Sequence, residues 1–329
     1  MYSTTSALEP EMPVSVPRYW RAYGSLTARL SLGITRLRLA DNTPLVLYEA
    51  GPPGAPDLVC VSPAESPFLL MAPLFMALSK TFRVIAFDHP GAPFMENASE
   101  HPLPTVGTMA ATLVEVLRAR AIQSAHIVTW CVGALVPIWA LGQGCTSFRS
   151  LNLIAPPSLL GKCDKRTPFQ KFFVSLLLQI ASSPADNCAG LCNWIRRASD
   201  AWSVTCPTDE LILKLSTLPV QEDESIRRYA MLTKWTCEQT PVGGKSLADA
   251  YAELMDTACA ELPVTIFHCA DDDIVSSDSS ADIVNRNSRA RLLVYPSGSH
   301  FVLFKEPDLL GRDIAASISA LWPPVGHTG

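Results

Sequence analysis

Short runs of almost continuous apolar residues recur along the chain and alternate with segments of helical periodicity. These runs are DLVCVS from Asp57, FRVIAFD from Phe82, AHIVTW from Ala125, SLNLIA from Ser150, PVTIFHC from Pro263 and RLLVYP from Arg291. Strands of a parallel sheet are covered by helices on both faces, so they read as continuous runs and not as alternating ones. The pattern therefore predicts buried parallel strands.

Helical periodicity follows most of these runs, over residues 69–79, 106–120, 134–144, 277–287 and 308–321. Strands that alternate with helices predict right-handed crossovers, with helices on both faces of the sheet. Two earlier segments, ITRLRLA and PLVLYEA, alternate apolar and polar positions around Asp41 and Asn42 and predict an antiparallel hairpin. The predicted fold class is α/β with a mostly parallel sheet.

The alternation stops over residues 161–261, where helical patterns follow one another without a convincing strand. Several of these patterns begin with capping residues, such as Thr208 or Ser246. We interpret this region as an inserted all-helical cap. The core then comprises residues 31–160 and 262–329, preceded by an N-terminal extension over residues 1–30.

The composition is typical of a globular protein that acts on a small molecule. Hydrophobic residues make up 48% of the 329 residues and charged residues 17%, which is enough apolar material for a large core. The net charge is −5 and no basic stripe occurs, which argues against nucleic acid as a partner. The beginning of the sequence lacks a signal-peptide pattern, and the longest apolar helical run is too short to span a bilayer. We expect a cytoplasmic protein without a membrane span.

No motif in the sequence indicates a metal or a cofactor. The ten cysteines are scattered, and the one close pair, Cys188 and Cys192, has no histidine pair that completes a zinc site. Without a secretory signal we expect free thiols. The glycines of GPPGAP and PVGGKS lack phosphate-loop spacing, so neither a metal nor a cofactor is expected.

The run AHIVTW ends in a turn that leads directly into a helix, and Cys131 occupies that turn. The segment T-W-C-V-G, residues 129–133, resembles the G-x-S-x-G nucleophile elbow of the α/β-hydrolase fold, with cysteine in place of serine and Thr129 in place of the first glycine. Cysteine occurs there in a minority of that family, including dienelactone hydrolases and some ring-closing thioesterase domains. The resemblance implies a nucleophilic thiol, although the turn alone fits a small buried cysteine equally well.

The same resemblance implies that an acid and then a histidine follow the nucleophile along the chain. His300 follows the last apolar run within G-S-H, which resembles the catalytic histidine loop of the family. The segment HCADDDIVSS resembles the loop of the acid and aligns Asp272 with it, while Asp273 stays an alternative. A triad of Cys131, His300 and Asp272 is therefore expected.

The expected oxyanion hole departs most from the family pattern. The resemblance implies the backbone N–H of Val132 as one donor. The second donor follows the DLVCVS strand, where the family commonly has His-Gly and this chain has SPAES. Pro63 has no N–H, so Ala64 is the best-placed donor. Glu65 is either a pocket residue or a solvated loop glutamate.

Together these residues imply acyl transfer through an acyl-cysteine. An acyl-cysteine is a thioester, which stays activated toward amines, alcohols and thiols as well as water. The expected protein is a thioesterase, acyltransferase or cyclase, including one of a biosynthetic pathway. Its substrate would be a thioester, ester or lactone, free or presented by a carrier protein or coenzyme A. The alternatives are a non-catalytic or lyase-like protein of this fold that binds a small apolar ligand.

Overall fold

The computed structural model describes residues 19, 32–96, 98–157, 166–184, 187–205, 210–238, 247–257, 262–286 and 289–321. The predicted N-terminal extension, residues 1–30, lies outside the described residues except for Tyr19. The limits of the predicted cap, residues 161 and 261, also lie outside them, so the domain boundaries stay a prediction.

One sheet runs through the centre of the described residues. Its strands are β1 (Gly33–Arg38), β2 (Pro44–Ala50), β3 (Asp57–Val61), β4 (Arg83–Phe87), β5 (Ala125–Trp130), β6 (Phe148–Ile154), β7 (Val264–Cys269) and β8 (Ala290–Tyr295). They lie in the order β1-β2-β4-β3-β5-β6-β7-β8. The β1–β2 and β2–β4 pairs are antiparallel and the other pairs are parallel. The α/β class and the mostly parallel sheet are confirmed.

The helices fall into a core set and a cap set. The core helices are α1 (Ala72–Leu78), α2 (Val106–Ala119), α3 (Leu135–Gly142), α9 (Ser277–Arg286), α10 (Val302–Lys305) and α11 (Pro307–Leu321). The helices within the predicted cap region are α4 (Pro168–Ser182), α5 (Ala189–Thr205), α6 (Glu210–Ser216), α7 (Asp223–Glu238) and α8 (Leu247–Asp256). No helix of the described residues is long and apolar enough to cross a membrane.

Helices cover both faces of the sheet and form a hydrophobic core on each. Helices α2 and α3 pack in one core through residues such as Leu113 and Ile138. Helices α1 and α11 pack in the other through residues such as Phe75 and Leu310. Every residue of β5 is buried, because successive side chains enter opposite cores. This double burial explains the continuous apolar runs.

Three helices of the predicted cap share a small hydrophobic core, whereas Leu215 of α6 and Tyr251 of α8 pack in the two cores of the sheet. Leu177, Ile195 and Ile226 join α4, α5 and α7 in this core. The guanidinium group of Arg228 on α7 donates to the backbone oxygens of Gly91 at 2.9 Å and His101 at 3.1 Å. These bonds hold α7 against the loops at the carboxyl ends of the strands.

Candidate active site

Cys131 lies in a strained turn between β5 and α3. Its φ is 50°, in the left-handed region that non-glycine residues rarely adopt. The residues Cys131–Ala134 form a 3₁₀ turn that continues directly into α3. A Cβ at Gly133 would lie 2.9 Å from the backbone oxygen of Val61 and 3.2 Å from the nitrogen of Pro63, so only glycine fits there. The turn thus presents the Cys131 side chain at the carboxyl edge of the sheet.

Thr129 is the residue of this turn that departs from the family pattern. It pairs in register with Val61 of β3 and Leu153 of β6, and it is fully buried. Its Oγ1 atom has no hydrogen-bond partner among the described residues. A threonine is therefore accommodated here with one buried hydroxyl left unsatisfied, which is energetically unfavourable.

His300 lies in a loop between β8 and α10 that is shaped by its neighbours. Gly298 and Ser299 have φ values of 137° and 58°, which turn the chain sharply before the histidine. Their N–H groups donate to the carboxylate of Asp271 at 3.2 and 2.9 Å. Asp271 belongs to the loop over residues 270–276, the acid loop, and therefore binds it to the loop over residues 296–301, the histidine loop.

The structure brings Asp272, and not Asp273, to His300. The Oδ2 atom of Asp272 lies 2.9 Å from Nδ1 of His300. Its Oδ1 atom accepts the backbone N–H groups of Ile274 at 2.9 Å and Val275 at 2.8 Å. Asp272 is buried, whereas Asp273 is exposed. The prediction that Asp272 is the triad acid thus has the geometry it requires.

Trp130 holds the backbone of His300 in place. Its indole N–H donates to the carbonyl oxygen of His300 at 3.0 Å, and the centroids of the two rings are 5.0 Å apart. A tryptophan directly before Cys131 in the sequence gives no sign of this contact. The contact joins the turn of Cys131 to the loop of His300.

Charges keep the imidazole of His300 protonated. Burial alone would lower the pKa of His300, but the carboxylate of Asp272 and the hydrogen-bonded side chain of Cys131 raise this pKa to about 10. Burial would raise the pKa of Asp272, yet the His300 charge and hydrogen bonds hold it well below its usual range. An imidazolium between a carboxylate and a sulfur atom is the arrangement that activates cysteine nucleophiles.

A cavity of about 310 Å³ lies against Cys131 and His300. Its walls are mostly apolar and include Val106 and Leu135 of the core and Phe173 of the cap. Among the described residues, no lysine or arginine lines it. The cavity therefore suits a neutral, largely apolar ligand.

Two further ionisable groups, Glu65 and Tyr229, line the same cavity. Burial raises the pKa of Glu65 to about 7, which places its titration near neutral pH. Tyr229 lies on α7 of the cap, and its pKa is raised well above the usual value by burial and by the nearby Glu65 and Cys131. The sequence left open whether Glu65 is a pocket residue or a solvated loop residue, and in the structure it lines the pocket. The helical pattern of the cap carried no signal that singled out Tyr229.

The two predicted oxyanion donors lie on adjoining segments. Val132 lines the cavity beside Cys131, and Ala64 is buried in the loop after β3. That loop is closed by a hydrogen bond from the N–H of Ser66 to the oxygen of Pro63 at 3.0 Å. Gly133 packs against the same loop, as described above, so the two segments are in direct contact. The donor roles of Val132 and Ala64 stay a prediction.

His268 is a neighbour of the site that the sequence analysis missed. It is fully buried in β7, and its Nε2 atom lies 3.4 Å from Oδ2 of Asp272. The spacing of four residues between His268 and Asp272 is the one signal in the sequence, and it is weak because the strand ends between them.

Comparisons with known proteins identify the family and the fold. A model of the alpha/beta hydrolase family matches residues 53–312. No curated protein matches the sequence. The structure is similar to the haloalkane dehalogenase DbeA from Bradyrhizobium elkani USDA94, with a TM-score of 0.68 and 15% identity over 88% of this chain and 99% of that chain.

Two esterases have similar structures as well. Carboxylesterase CesB from Bacillus subtilis has a TM-score of 0.67 and 12% identity, over 92% of this chain and 98% of that chain. The esterase RhEst1 from Rhodococcus sp. ECU1013 has a TM-score of 0.66 and 17% identity, over 89% of this chain and 100% of that chain. At these identities the likeness shows a shared fold.

Proposed function

The chain belongs to the alpha/beta hydrolase family, and we propose that it transfers acyl groups through a cysteine nucleophile. The observation that carries the proposal is the position of Cys131 at a strained elbow beside a histidine whose Nδ1 atom lies 2.9 Å from Asp272. A cysteine that served only to fill the core would need neither partner. His300 in turn is oriented from both sides, by Asp272 and by Trp130.

The proposed reaction has two steps. In the first, the thiolate of Cys131 forms a bond to the acyl carbon, and the backbone N–H groups of Val132 and Ala64 stabilise the negative oxygen. The bond to the leaving group then breaks, and the imidazolium of His300 gives its proton to that group. In the second step His300 takes a proton from water, an alcohol or an amine, which attacks the thioester and releases Cys131.

The cavity indicates the class of acyl group. Among the described residues no lysine or arginine lines it, and the charge of the one cationic group in its wall, His300, is already matched by Asp272, so a free carboxylate would lack a partner of its own there. We infer a neutral, largely apolar acyl group held between the core and the cap. A thioester substrate suits this site, since exchange of one thioester for another needs little driving force. A carrier protein or coenzyme A would then lie outside the cavity.

Turnover of simple thioesters tests this proposal. Acyl-N-acetylcysteamine thioesters with neutral apolar chains would be incubated with the protein, and thiol release would be followed. Cys131→Ala should abolish release. Cys145→Ala is the matched control, because Cys145 is a free thiol of similar partial exposure at the far end of α3, and it should leave the rate unchanged. Equal rates for the two variants would contradict the proposal.

Glu65 favours a second candidate function, a lyase-like proton transfer without an acyl-enzyme. A carboxyl group whose pKa is about 7 and which faces the cavity has the properties of a general acid or base. In that case Glu65→Gln would abolish turnover and Cys131→Ala would not. Acyl transfer predicts the opposite pattern.

A further inference from the structure

A buried pair of polar side chains, His268 and Ser280, lies beside Asp272. Both residues are fully buried, and neither lines the cavity. The Nε2 atom of His268 lies 3.0 Å from the backbone oxygen of Val275 and 3.4 Å from Oδ2 of Asp272. Its Nδ1 atom lies 2.6 Å from Oγ of Ser280. A buried histidine with partners at both ring nitrogens has a fixed orientation.

These partners determine where the hydrogen atoms lie. Both groups near Nε2 of His268 are acceptors, the oxygen of Val275 and the carboxylate of Asp272, so Nε2 carries a hydrogen. In the neutral ring Nδ1 is then an acceptor, and the hydroxyl group of Ser280 donates to it. Ser280 thus sets the tautomer of His268 that donates toward Asp272.

The carboxylate of Asp272 is consequently held at both oxygens. The N–H groups of Ile274 and Val275 both donate to Oδ1, and Nε2 of His268, which is hydrogen-bonded to the Val275 oxygen at 3.0 Å, lies 3.4 Å from Oδ2. The two backbone donors and the contact with His268 on β7 together restrict the plane of the carboxylate. The remaining position at Oδ2 is the one that His300 occupies at 2.9 Å.

We propose that His268 is a positioning residue that, with Ser280, aims the carboxylate of Asp272 at His300. For its effect on rate this inference rests on the proposed acyl transfer, whereas its effect on the bond between Asp272 and His300 does not. The triad is thereby extended to a buried chain from Ser280 through His268 and Asp272 to His300. Outer partners of metal ligands change activity by about ten- to a hundredfold when they are removed, and we expect an effect at the lower end of that range for this outer partner of Asp272.

The same protein contains a matched control, the pair of His126 and Ser150. His126 is also a buried strand histidine, and its Nδ1 atom lies 2.8 Å from Oγ of Ser150. It lies on β5 four residues before Trp130, near the opposite end of the strand from Cys131, and has no contact with Asp272 among the bonds described. Loss of this pair should cost stability as loss of the His268 pair does, and nothing in the triad should change.

Two measurements would test the proposal on the full-length protein. The first is the low-field proton resonance of His300 Nδ1–H, identified by its loss in His300→Gln. The second is the rate constant for acylation of Cys131 by an acyl-N-acetylcysteamine, with KM determined separately. The variants are His268→Leu, His268→Gln, Ser280→Ala and the control His126→Leu, each with its melting temperature.

In His268→Leu the resonance should broaden or shift, and acylation should slow about tenfold with little change in KM. His268→Gln keeps a side-chain donor and should retain most of the rate. The acylation rate of Ser280→Ala should lie between those of His268→Leu and His268→Gln. If His268→Leu fails to fold, Ser280→Ala replaces it as the test. His126→Leu should leave the resonance and the rate unchanged.

An unchanged resonance in His268→Leu and Ser280→Ala would overturn the proposal, and so would an equal shift in His126→Leu. Absence of acylation in the unsubstituted protein would instead contradict the proposed function. The resonance would still decide the role of His268, so the two failures are distinguishable.

Discussion

The proposed triad and the loop over residues 62–66, the oxyanion loop, adjoin at Gly133 and differ in how tightly their groups are held. Asp272 has polar partners at both carboxylate oxygens, and His300 is bonded through both its ring and its backbone. The loop over residues 62–66 has one internal backbone hydrogen bond, and its Glu65 carboxyl group is desolvated, with no lysine or arginine among the described residues of the cavity wall. Several hydrogen bonds fix Asp272 and His300, whereas the oxyanion loop carries a carboxyl group whose charged form is disfavoured by desolvation.

This difference separates two tasks within the site. The proposed triad has to hold a sulfur atom and an imidazolium in fixed positions, and both oxygens of Asp272 and the Nδ1 atom of His300 have partners. In the proposed reaction the oxyanion loop contacts the substrate, and it has SPAES where the family commonly has His-Gly. An unfavourable buried carboxyl group is retained at functional sites where it serves the chemistry. Substitutions in the proposed triad should therefore lower activity strongly. Substitutions in the oxyanion loop should change the free energy of unfolding and its dependence on pH.

The largest effect is expected at Asp272. Asp272→Asn removes the negative charge that raises the pKa of His300, so this pKa should fall and acylation should slow by about 10²–10⁴-fold. Stopped-flow acylation and NMR titration of His300 would measure the two effects. Asp273→Asn is the control, because Asp273 is exposed and adjacent, and it should change neither. If the two variants behave alike, the triad assignment is wrong.

Glu65 should show the opposite profile, a gain in stability. The folded protein keeps the Glu65 proton up to about pH 7, whereas the unfolded chain releases it near pH 4.5, so stability is lost as the pH rises between these values. Glu65→Gln should raise the free energy of unfolding by ~1–3 kcal/mol at pH 8 and leave it unchanged at pH 4.

Urea denaturation at the two pH values would measure this difference. Glu222→Gln replaces an exposed glutamate of the cap and should show no such pH dependence. A gain at pH 4 equal to that at pH 8 would show that the carboxyl group of Glu65 is not desolvated in the folded protein.

Gly133 tests the contact between the two sides of the site. The Cβ of Gly133→Ala would lie 2.9 Å from the oxygen of Val61, so the oxyanion loop must shift, at a cost of about 1–3 kcal/mol. Gly190→Ala is the control, since nothing lies within 4 Å of its Cβ, and a helical alanine there should be neutral or slightly stabilising. Thermal unfolding would compare them, and equal costs would contradict the close packing.

The smallest effect is expected at Thr129. Thr129→Val keeps the β-branched shape and removes a buried hydroxyl group that has no partner among the described residues. The free energy of unfolding should rise by about 1 kcal/mol, measured by urea denaturation. Acylation should be unchanged, because the side chain does not line the cavity. A loss of stability would show that this hydroxyl group is bonded.

The sequence predicted the sheet well because burial on both faces leaves a clear signal. Each predicted strand lies within two residues of the observed one, as for AHIVTW and β5. Helix starts were less accurate. The helix expected from Leu69 begins at Ala72, because Pro67 is followed by a separate 3₁₀ turn over Phe68–Leu70. The helix expected from Ala134 begins at Leu135, after the 3₁₀ turn of Cys131. Local turns of this kind do not alter hydrophobic periodicity.

In the site, the residues that follow strand ends could be placed from the sequence. Parallel strands bring their carboxyl ends to one edge, so Cys131, Asp272 and His300 were expected to meet there. Tyr229 and His268 could not be placed in this way. Tyr229 reaches the cavity only because Arg228 and its neighbours dock α7 on the core loops, and this is tertiary packing without a local pattern. His268 meets Asp272 because the acid loop folds back over β7.

The most direct test of the central claim is intact-protein mass spectrometry after brief incubation with an acyl-N-acetylcysteamine, followed by peptide mapping. We expect one added acyl mass on Cys131, absent in Cys131→Ala and formed more slowly in His300→Ala. Thiol-containing peptides from the other nine cysteines should stay unmodified. Turnover without any adduct, in the unsubstituted protein or in variants that discharge slowly, would contradict a cysteine nucleophile and would favour proton transfer by Glu65.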